Sequence, residues 1–214
     1  MPNAPSHGSP EGHLRTPQQA RSRRTRQRIL EAAAAAFEER GYDETTTAEI
    51  ARRARVAVGT LYGWFPDKRA ILLEILRETV EQMGEEIVGG LEPERWDAAD
   101  PRASVRALIE KSFKTRRLRP GVQRILWERF FKDSEVRRAM EAIEDRVRGA
   151  IERLLRHLAE SGRARVADPA TAAFVIHTSV EWTAARLILG GAPEASVDAA
   201  VETVTDMIAR MILL

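Results

Sequence analysis

The chain has 214 residues, with 34 Lys and Arg against 32 Asp and Glu, 43% hydrophobic residues and no cysteine. Lacking cysteine, it has no disulfide and no thiolate metal site, which suits a reducing cytoplasm. The opening residues hold no apolar run of the signal-peptide kind, and the extended β-branched runs that mark strands are absent, so an all-α fold is expected.

Charge is unevenly spread. Residues 1–70 hold 12 Lys and Arg against 8 Asp and Glu, whereas residues 71–214 hold 22 against 24. The N-terminal third therefore carries the positive field that counterion-release binding to nucleic acid requires.

Residues 1–20, with four prolines among Ser, Gly, Gln and His, are expected to be a flexible tail. Five arginines follow within RSRRTRQR. Such a run is either a solvated face or an arm that follows phosphates or enters the minor groove, with Arg24 and Arg26 as candidates. A first helix is expected over 25–40, with Ile29, Leu30, Ala33, Ala34 and Phe37 as its buried stripe and Gly41 as its stop. Thr45, Thr46 and Thr47 are all candidate caps of the next helix. Ile50, Ala51 and Ala54 then give one short apolar face, Val58, Leu61 and Phe65 give another, and only Arg55 to Ala57 lie between. Two short helices joined so closely make a helix-turn-helix, whose second helix lies in the DNA major groove. Off its Leu61/Phe65 stripe fall Ala57, Thr60, Tyr62, Gly63 and Trp64, which offer a hydroxyl, a phenol, an indole and bare backbone.

From Arg24 to Leu72 the chain resembles the DNA-binding domain of TetR-family transcriptional regulators. The matching pieces are ILEAA…F in the first helix, Gly41 after it, TTxxIA in the second, GTLYxxF in the third and PDKRAIL opening a fourth. The resemblance implies a three-helix DNA-binding domain over 21–67 that meets double-stranded operator DNA. Its contact residues would be Arg24, Arg26, Thr47, Val58, Thr60, Tyr62, Gly63, Trp64 and Lys68, with Lys68 on phosphate and Thr47 the capping threonine that fits the family's frame. Three positions depart from the pattern. Arg55 stands where glycine eases a left-handed turn, Ala57 where Ser or Thr would cap the recognition helix, and Gly63 inside that helix; each costs roughly 1 kcal/mol. Gly63 also brings the helix backbone closer to the groove. Val58 is open to two readings, core packing or contact with a thymine methyl.

The fourth helix, over 67–88, has a stripe from Ile71 to Ile87 long enough to leave the DNA-binding domain, which makes it the natural mechanical link. Gly84, Gly89 and Gly90 loosen its end, and a loop over 91–101 holds Trp96. Further helices are expected over 102–117, 121–133, 134–161, 169–189 and 195–213, about nine in all. The segment 170–192 is interrupted by His177, Glu181 and Arg186, so it is expected to be a buried helix and not a membrane span. On the long helix, Glu144 with Arg148 and Glu152 with Arg156 stand at i, i+4 spacing, as on a solvated face. Val197, Val201, Val204, Ile208 and Met211 form a seam on the last helix, and the helix before it is apolar on more than one face, including Val180 and Leu187. In the family these two helices pair with their copies into a four-helix bundle, which implies a homodimer with those seven residues at its interface. Packing within one chain is the alternative.

Residues 68–214 are thus expected to form a helical ligand-binding and dimerisation domain. Large aromatics concentrate there, among them Phe113, Trp127, Phe131 and Phe174, and they are either core or the wall of a pocket. The family resemblance implies an apolar or aromatic small-molecule effector. His177 and Glu181 share a helix face amid apolar neighbours, as an internal pair or as the polar handle for that ligand. Two such ligands do not make a metal site, no cofactor is implied, and no nucleophile or phosphate-cradling motif points to an enzyme. The expected function is a ligand-responsive repressor on a near-palindromic operator. The alternative is a helical ligand-binding or protein-interaction module whose degenerate helix-turn-helix no longer reads DNA specifically.

Overall fold

The computed structural model describes residues 17–97, 100–117 and 119–213. Each long apolar stripe in the sequence becomes a helix: α1 Pro17–Glu44, α2 Thr47–Arg53, α3 Val58–Trp64, α4 Lys68–Val88, α5 Pro101–Arg117, α6 Pro120–Lys132, α7 Ser134–Glu160, α8 Pro169–Leu189 and α9 Glu194–Ile212. Among the described residues the fold is all-α, as expected, with one isolated bridge between Ala164 and Leu213 and no further β-pairing. No helix of the described residues is long and apolar enough to cross a membrane.

The first helix corrects one expectation. It begins at Pro17 and not near Thr25, so the arginine run is helical from the outset. Gln, Ala and Arg are good helix formers, and proline is tolerated in a first turn. The rest of the expected flexible tail, residues 1–16, lies outside the described residues. At the other end Gly41 adopts φ 79°, the left-handed region, and breaks the helix where expected.

Two apolar cores organise the chain. The first gathers Ile29, Phe37, Ile50, Leu61, Phe65 and Ile71 from α1–α4, and Val122 and Leu126 of α6 and Met140 of α7 close it. The second joins α5, α7, α8 and α9 around Ile109, Leu155, Leu158 and Ala184, with Trp96 folded in from the loop. Ile143 packs against both.

The seam on α9 serves this second core. Val197, Val201, Val204 and Ile208 are only 3–7% exposed within one chain, so they have no surface left for a partner. Their expected place at a dimer interface is therefore corrected: an apolar stripe at 4, 3, 4, 3 spacing needs a helix to pack on, and α5 is that helix. Arg102–Asp206 and Arg106–Glu202 ion pairs fasten the α5–α9 contact on its outer side. Val180 is likewise turned toward the interior and Leu187 packs against the second core, while Met211 stays exposed.

Candidate nucleic-acid interface and ligand cavities

The turn between α2 and α3 is built from backbone. Arg55 takes φ 53°, the left-handed conformation, without a glycine's freedom. Thr46, and not Thr47, caps α2: its side chain accepts from Glu49 N at 3.2 Å. Thr45 turns inward to donate to Gly41 O at 2.8 Å, leaving Thr47 free to meet the Tyr62 hydroxyl at 3.0 Å. Ala57 gives α3 no side-chain cap. What holds α3 is burial. Leu61 is fully buried and Phe65 nearly so against Ile29, Phe37 and Ile50, which overrides the missing cap.

The opposite face of α3 is open. Val58 is 42% exposed, Tyr62 50% and Trp64 38%, and Thr60 and Gly63 lie on the same outward side. Val58 thus does not pack in the core. A Cβ added at Gly63 would meet nothing within 4 Å, so packing inside this chain gives no reason for the glycine. Arg53 ties α2 back to α1 through Glu39 at 2.6 Å and to Glu49 at 3.0 Å, which stiffens the platform under α3.

Two candidate DNA contacts are redirected inward. Arg26 pairs with Glu74 and Glu78 of α4 and lies 5.7 Å from the Phe65 ring centroid, so its charge is spent on joining α1 to α4. Lys68 donates to Tyr42 O at 2.7 Å, Asp43 O at 3.2 Å and Thr45 O at 2.8 Å, with its ammonium 4.3 Å from the Tyr42 ring centroid. An ammonium has three donors, and all three are taken by the carbonyls that end α1. In the free chain the lysine thus locks the end of α1 to the start of α4. Arg24 is exposed, as are Arg21 and Arg28 one turn to either side, so a basic stripe runs along the open face of α1.

Sequence spacing gave no sign of how α6 is held. Pro120 opens it, leaving the N–H groups of Gly121 and Val122 without helical partners. The Glu38 carboxylate of α1 accepts both, at 2.7 Å from Gly121 N and 2.9 Å from Val122 N. A Cβ at residue 121 would lie 2.8 Å from a Glu38 oxygen, so the close approach needs glycine. At the far end of α6, Arg69 of α4 meets Asp133 at 2.6 Å, and Arg129 lies over the other partner of Lys68, the Tyr42 ring, at 4.7 Å. The helix is thus clamped to the N-terminal unit at both ends, while Leu126 and Trp127 in its middle face a cavity.

Two adjoining cavities lie within the C-terminal helices. One, of about 90 Å³, runs between α5, α7, α8 and α9 and is walled by Trp96, Ile109, Leu154 and Ile208. The other, of about 50 Å³, lies between α4, α6, α7 and α8 beside Trp127 and Glu144. His177 and Glu181 line both, on the shared face that their spacing foretold. Trp127 packs against Trp182 with ring centroids 5.1 Å apart and the planes tilted by 38°. The other expected ligand residues fall elsewhere. Phe113 is core between α5 and α9, Phe131 is 71% exposed, and Phe174 is exposed with the Arg148 guanidinium over its ring. Their spacing marked apolar faces but could not say which face met which helix.

Glu144 also departs from expectation. Arg148 pairs with Asp145 instead, whereas Glu152–Arg156 forms at 2.5 Å as expected. Glu144 has no hydrogen bond or ion pair among the described residues, and burial, then the nearby Glu181 carboxylate, raises its pKa above the ordinary range. The signal was present: Glu144 shares the helix face of Met140, Val147 and Ile151. Among the described residues no group of His, Asp and Glu could hold a metal ion.

A short exposed helix, braced from behind and mounted on a larger helical bundle with internal cavities, defines a helix-turn-helix regulator with a separate sensing domain. The model of the bacterial regulatory proteins of the tetR family matches residues 29–75, and that of the AefR-like transcriptional repressor C-terminal domain matches residues 112–214. The chain belongs to the TetR family, whose members are transcriptional regulators and not enzymes. It is 32% identical over 109 residues to the HTH-type transcriptional regulator BetI of Yersinia pestis, a match covering 51% of this chain and 54% of that protein. The chain thus spans about half the length of the curated relatives it matches. A TetR-family regulator from Mesorhizobium loti superposes with a TM-score of 0.77 at 20% identity, covering 91% of this chain and 99% of the other. A regulator from Saccharomonospora viridis in complex with choline superposes with a TM-score of 0.73 at 26% identity, covering 88% and 97%.

Proposed function

We propose that the chain is a homodimeric repressor whose two α3 helices read a near-palindromic operator, and that a small molecule in the C-terminal cavities releases it. The observation that carries the reading is the split face of α3: Leu61 buried behind, Val58, Tyr62 and Trp64 exposed in front. Three large side chains on one short helix stay open to solvent, with only the Tyr62 hydroxyl meeting Thr47, and they match what a major groove requires. Residues 21–67 are the reading unit, residues 68–214 the sensing and pairing unit, and the cytoplasm is where such a protein meets its DNA. A two-fold pair would set its reading helices about 34 Å apart, one turn of duplex.

Pairing falls to the surfaces that α8 and α9 leave open. Phe174, Val175 and Trp182 on α8, with Met207 and Met211 on α9, remain exposed in one chain, and apolar surface of this kind marks an interface. The choline complex of the Saccharomonospora viridis regulator supports a small organic effector for a bundle of this shape. Its binding reaches α3 through α4 and through α6, which lines the second cavity and is clamped to α1 by Glu38. A coupling of ~1–3 kcal/mol suffices to change operator occupancy.

The test begins with DNA that the protein selects from a random-sequence pool, followed by footprinting and gel shifts at two salt concentrations. The expected result is a two-fold-related protection pattern with selectivity that survives added salt. A single unrepeated footprint, or binding that salt abolishes equally for all sequences, would favour a helical module with a degenerate helix-turn-helix.

A further inference from the structure

We infer that the effector is a small neutral molecule with a carboxamide head, held by the Gln123 amide at the mouth of the cavity beside α6, with its apolar body inside. The inference rests on the sensing role proposed for this domain and names the chemistry that the site selects.

One buried side chain is poorly satisfied. Gln123 of α6 is only 5% exposed, yet its Nε2 donates at 3.3 Å to the thioether sulfur of Met83, a weak acceptor. Its carbonyl oxygen accepts no hydrogen bond among the described residues. No fully enclosed side-chain nitrogen or oxygen among them lacks a partner, so this oxygen borders open space. That space lies on two sides. Gln123 and Met83 line both the smaller cavity and a groove of about 260 Å³ outside it, between α1, α4 and α6. The pair therefore stands at a mouth, where the amide's donor and acceptor are both open to a better partner. Leaving a buried amide half-paired costs free energy that a ligand's matching groups recover.

The donor and acceptor together narrow the head group. One amide meets another through two parallel hydrogen bonds, so a carboxamide gives Nε2 a carbonyl in place of sulfur and gives the oxygen an N–H. The second N–H of a primary carboxamide is left for Glu144, which lines the same small cavity and has no hydrogen bond among the described residues. An ammonium would leave Nε2 on sulfur, and a carboxylate would leave the oxygen bare. Behind the head, Val80, Leu126, Trp127 and Ile143 wall the cavity with apolar surface. With the adjoining cavity of about 90 Å³, the space has the scale of one that takes up benzene, about 150 Å³. The body is therefore about one ring. The groove outside, walled by the exposed Glu31 and Arg119, gives such a ring no comparable shelter, and hydrogen bonds made away from water are the stronger ones. Gln123 directly follows Gly121 and Val122, whose amides Glu38 of α1 holds, so a pull on Gln123 is passed to the reading unit.

The experiment titrates the full-length protein with benzamide and three ring compounds of like size: acetophenone, which lacks the N–H, benzoate and benzylammonium, all at equal ionic strength. Benzamide should raise the melting temperature most, and Gln123→Met should weaken its binding about tenfold. The variant itself should melt close to wild type, because an apolar side chain of like length replaces a poorly paired amide. Met83→Leu removes only the competing sulfur and should leave benzamide binding equal or tighter, which tests the inference should Gln123→Met misfold. Equal stabilisation by acetophenone, stronger stabilisation by benzoate or benzylammonium, no response to benzamide, full binding by Gln123→Met, or a loss in Met83→Leu as large as that expected of Gln123→Met would each overturn the inference. A gel shift on the selected DNA separates the two claims. Benzamide that binds through Gln123 and releases DNA supports both. Binding through Gln123 with DNA retained keeps the site and overturns its role as the sensor. No binding, with selective DNA recognition intact, overturns the site and leaves the repressor reading standing.

Discussion

On α3, Val58, Tyr62 and Trp64 hold apolar and aromatic surface out in solvent, whereas on α7 Glu144 holds a carboxylate in toward a cavity. Each arrangement runs against the usual partition of side chains, in opposite directions. The N-terminal unit tolerates its exposed aromatics because Leu61 and Phe65 anchor the other side of the same helix in a dense core. The C-terminal unit tolerates its inward acid because a cavity, and not close packing, surrounds it. Places where local stability is given up in this way are candidate binding places: the outward face of α3 for DNA, the cavity beside α6 for an effector.

The sharpest way to break the comparison is to remove the anchor. Leu61→Ala deletes a fully buried side chain and should cost ~2–5 kcal/mol in thermal or chemical denaturation, with operator binding lost alongside. Tyr62→Ala, one residue on, should change stability by no more than about 0.5 kcal/mol yet weaken operator binding by ~1–3 kcal/mol in a gel shift. If Tyr62→Ala unfolds the protein as Leu61→Ala does, α3 is not the two-faced helix described.

Lys68→Ala sharpens the division between structural and DNA-facing charge. Loss of three donations to the end of α1 should lower stability by on the order of 1–3 kcal/mol. The salt dependence of DNA binding by whatever fraction remains folded should keep its slope. A shallower slope would show that the ammonium also neutralises phosphate.

A smaller effect is expected where the two units join. Glu38→Gln replaces one carboxylate oxygen with an NH₂ group, so one of the two α6 amides loses its acceptor. Amide hydrogen exchange at Gly121 or Val122 should quicken by roughly tenfold, equivalent to about 1.4 kcal/mol of local opening. Unchanged exchange would mean that α6 is held by its apolar contacts alone.

Glu144→Gln should have the smallest effect on stability, and its sign is opposite to that of most substitutions. A carboxyl whose pKa is raised in the folded state is neutral, and costs nothing, below its unfolded pKa. The penalty appears as pH rises through the raised folded value. The variant should therefore melt no lower than wild type near neutral pH, and the gap should close as pH falls below the ordinary carboxylate range. A gap that persists in acid would trace to packing and not to charge.

Much of this protein was legible in its sequence. Apolar spacing and capping residues placed α4 to α9 to within a residue or so at each end, and the short stretch from Ile50 to Phe65 announced the helix-turn-helix by itself. Gly41 marked a stop because only a left-handed turn needs it. His177 and Glu181 were paired by the period of a helix, and the structure puts both on the cavity walls.

What the sequence left undecided were questions of partner. The period of an α-helix says which residues share a face, but not what that face meets, because the same stripe packs as well on a helix of its own chain as on a copy's. Only the tertiary structure sent the Val197–Ile208 seam to α5, turned Phe131 and Phe174 outward, and drew Lys68 and Arg26 into carbonyls and carboxylates. Long side chains make this ambiguity worst: a lysine or arginine at a fixed backbone position reaches several ångströms in any direction, and where its charge ends is settled by the acceptors that distant parts of the chain bring near.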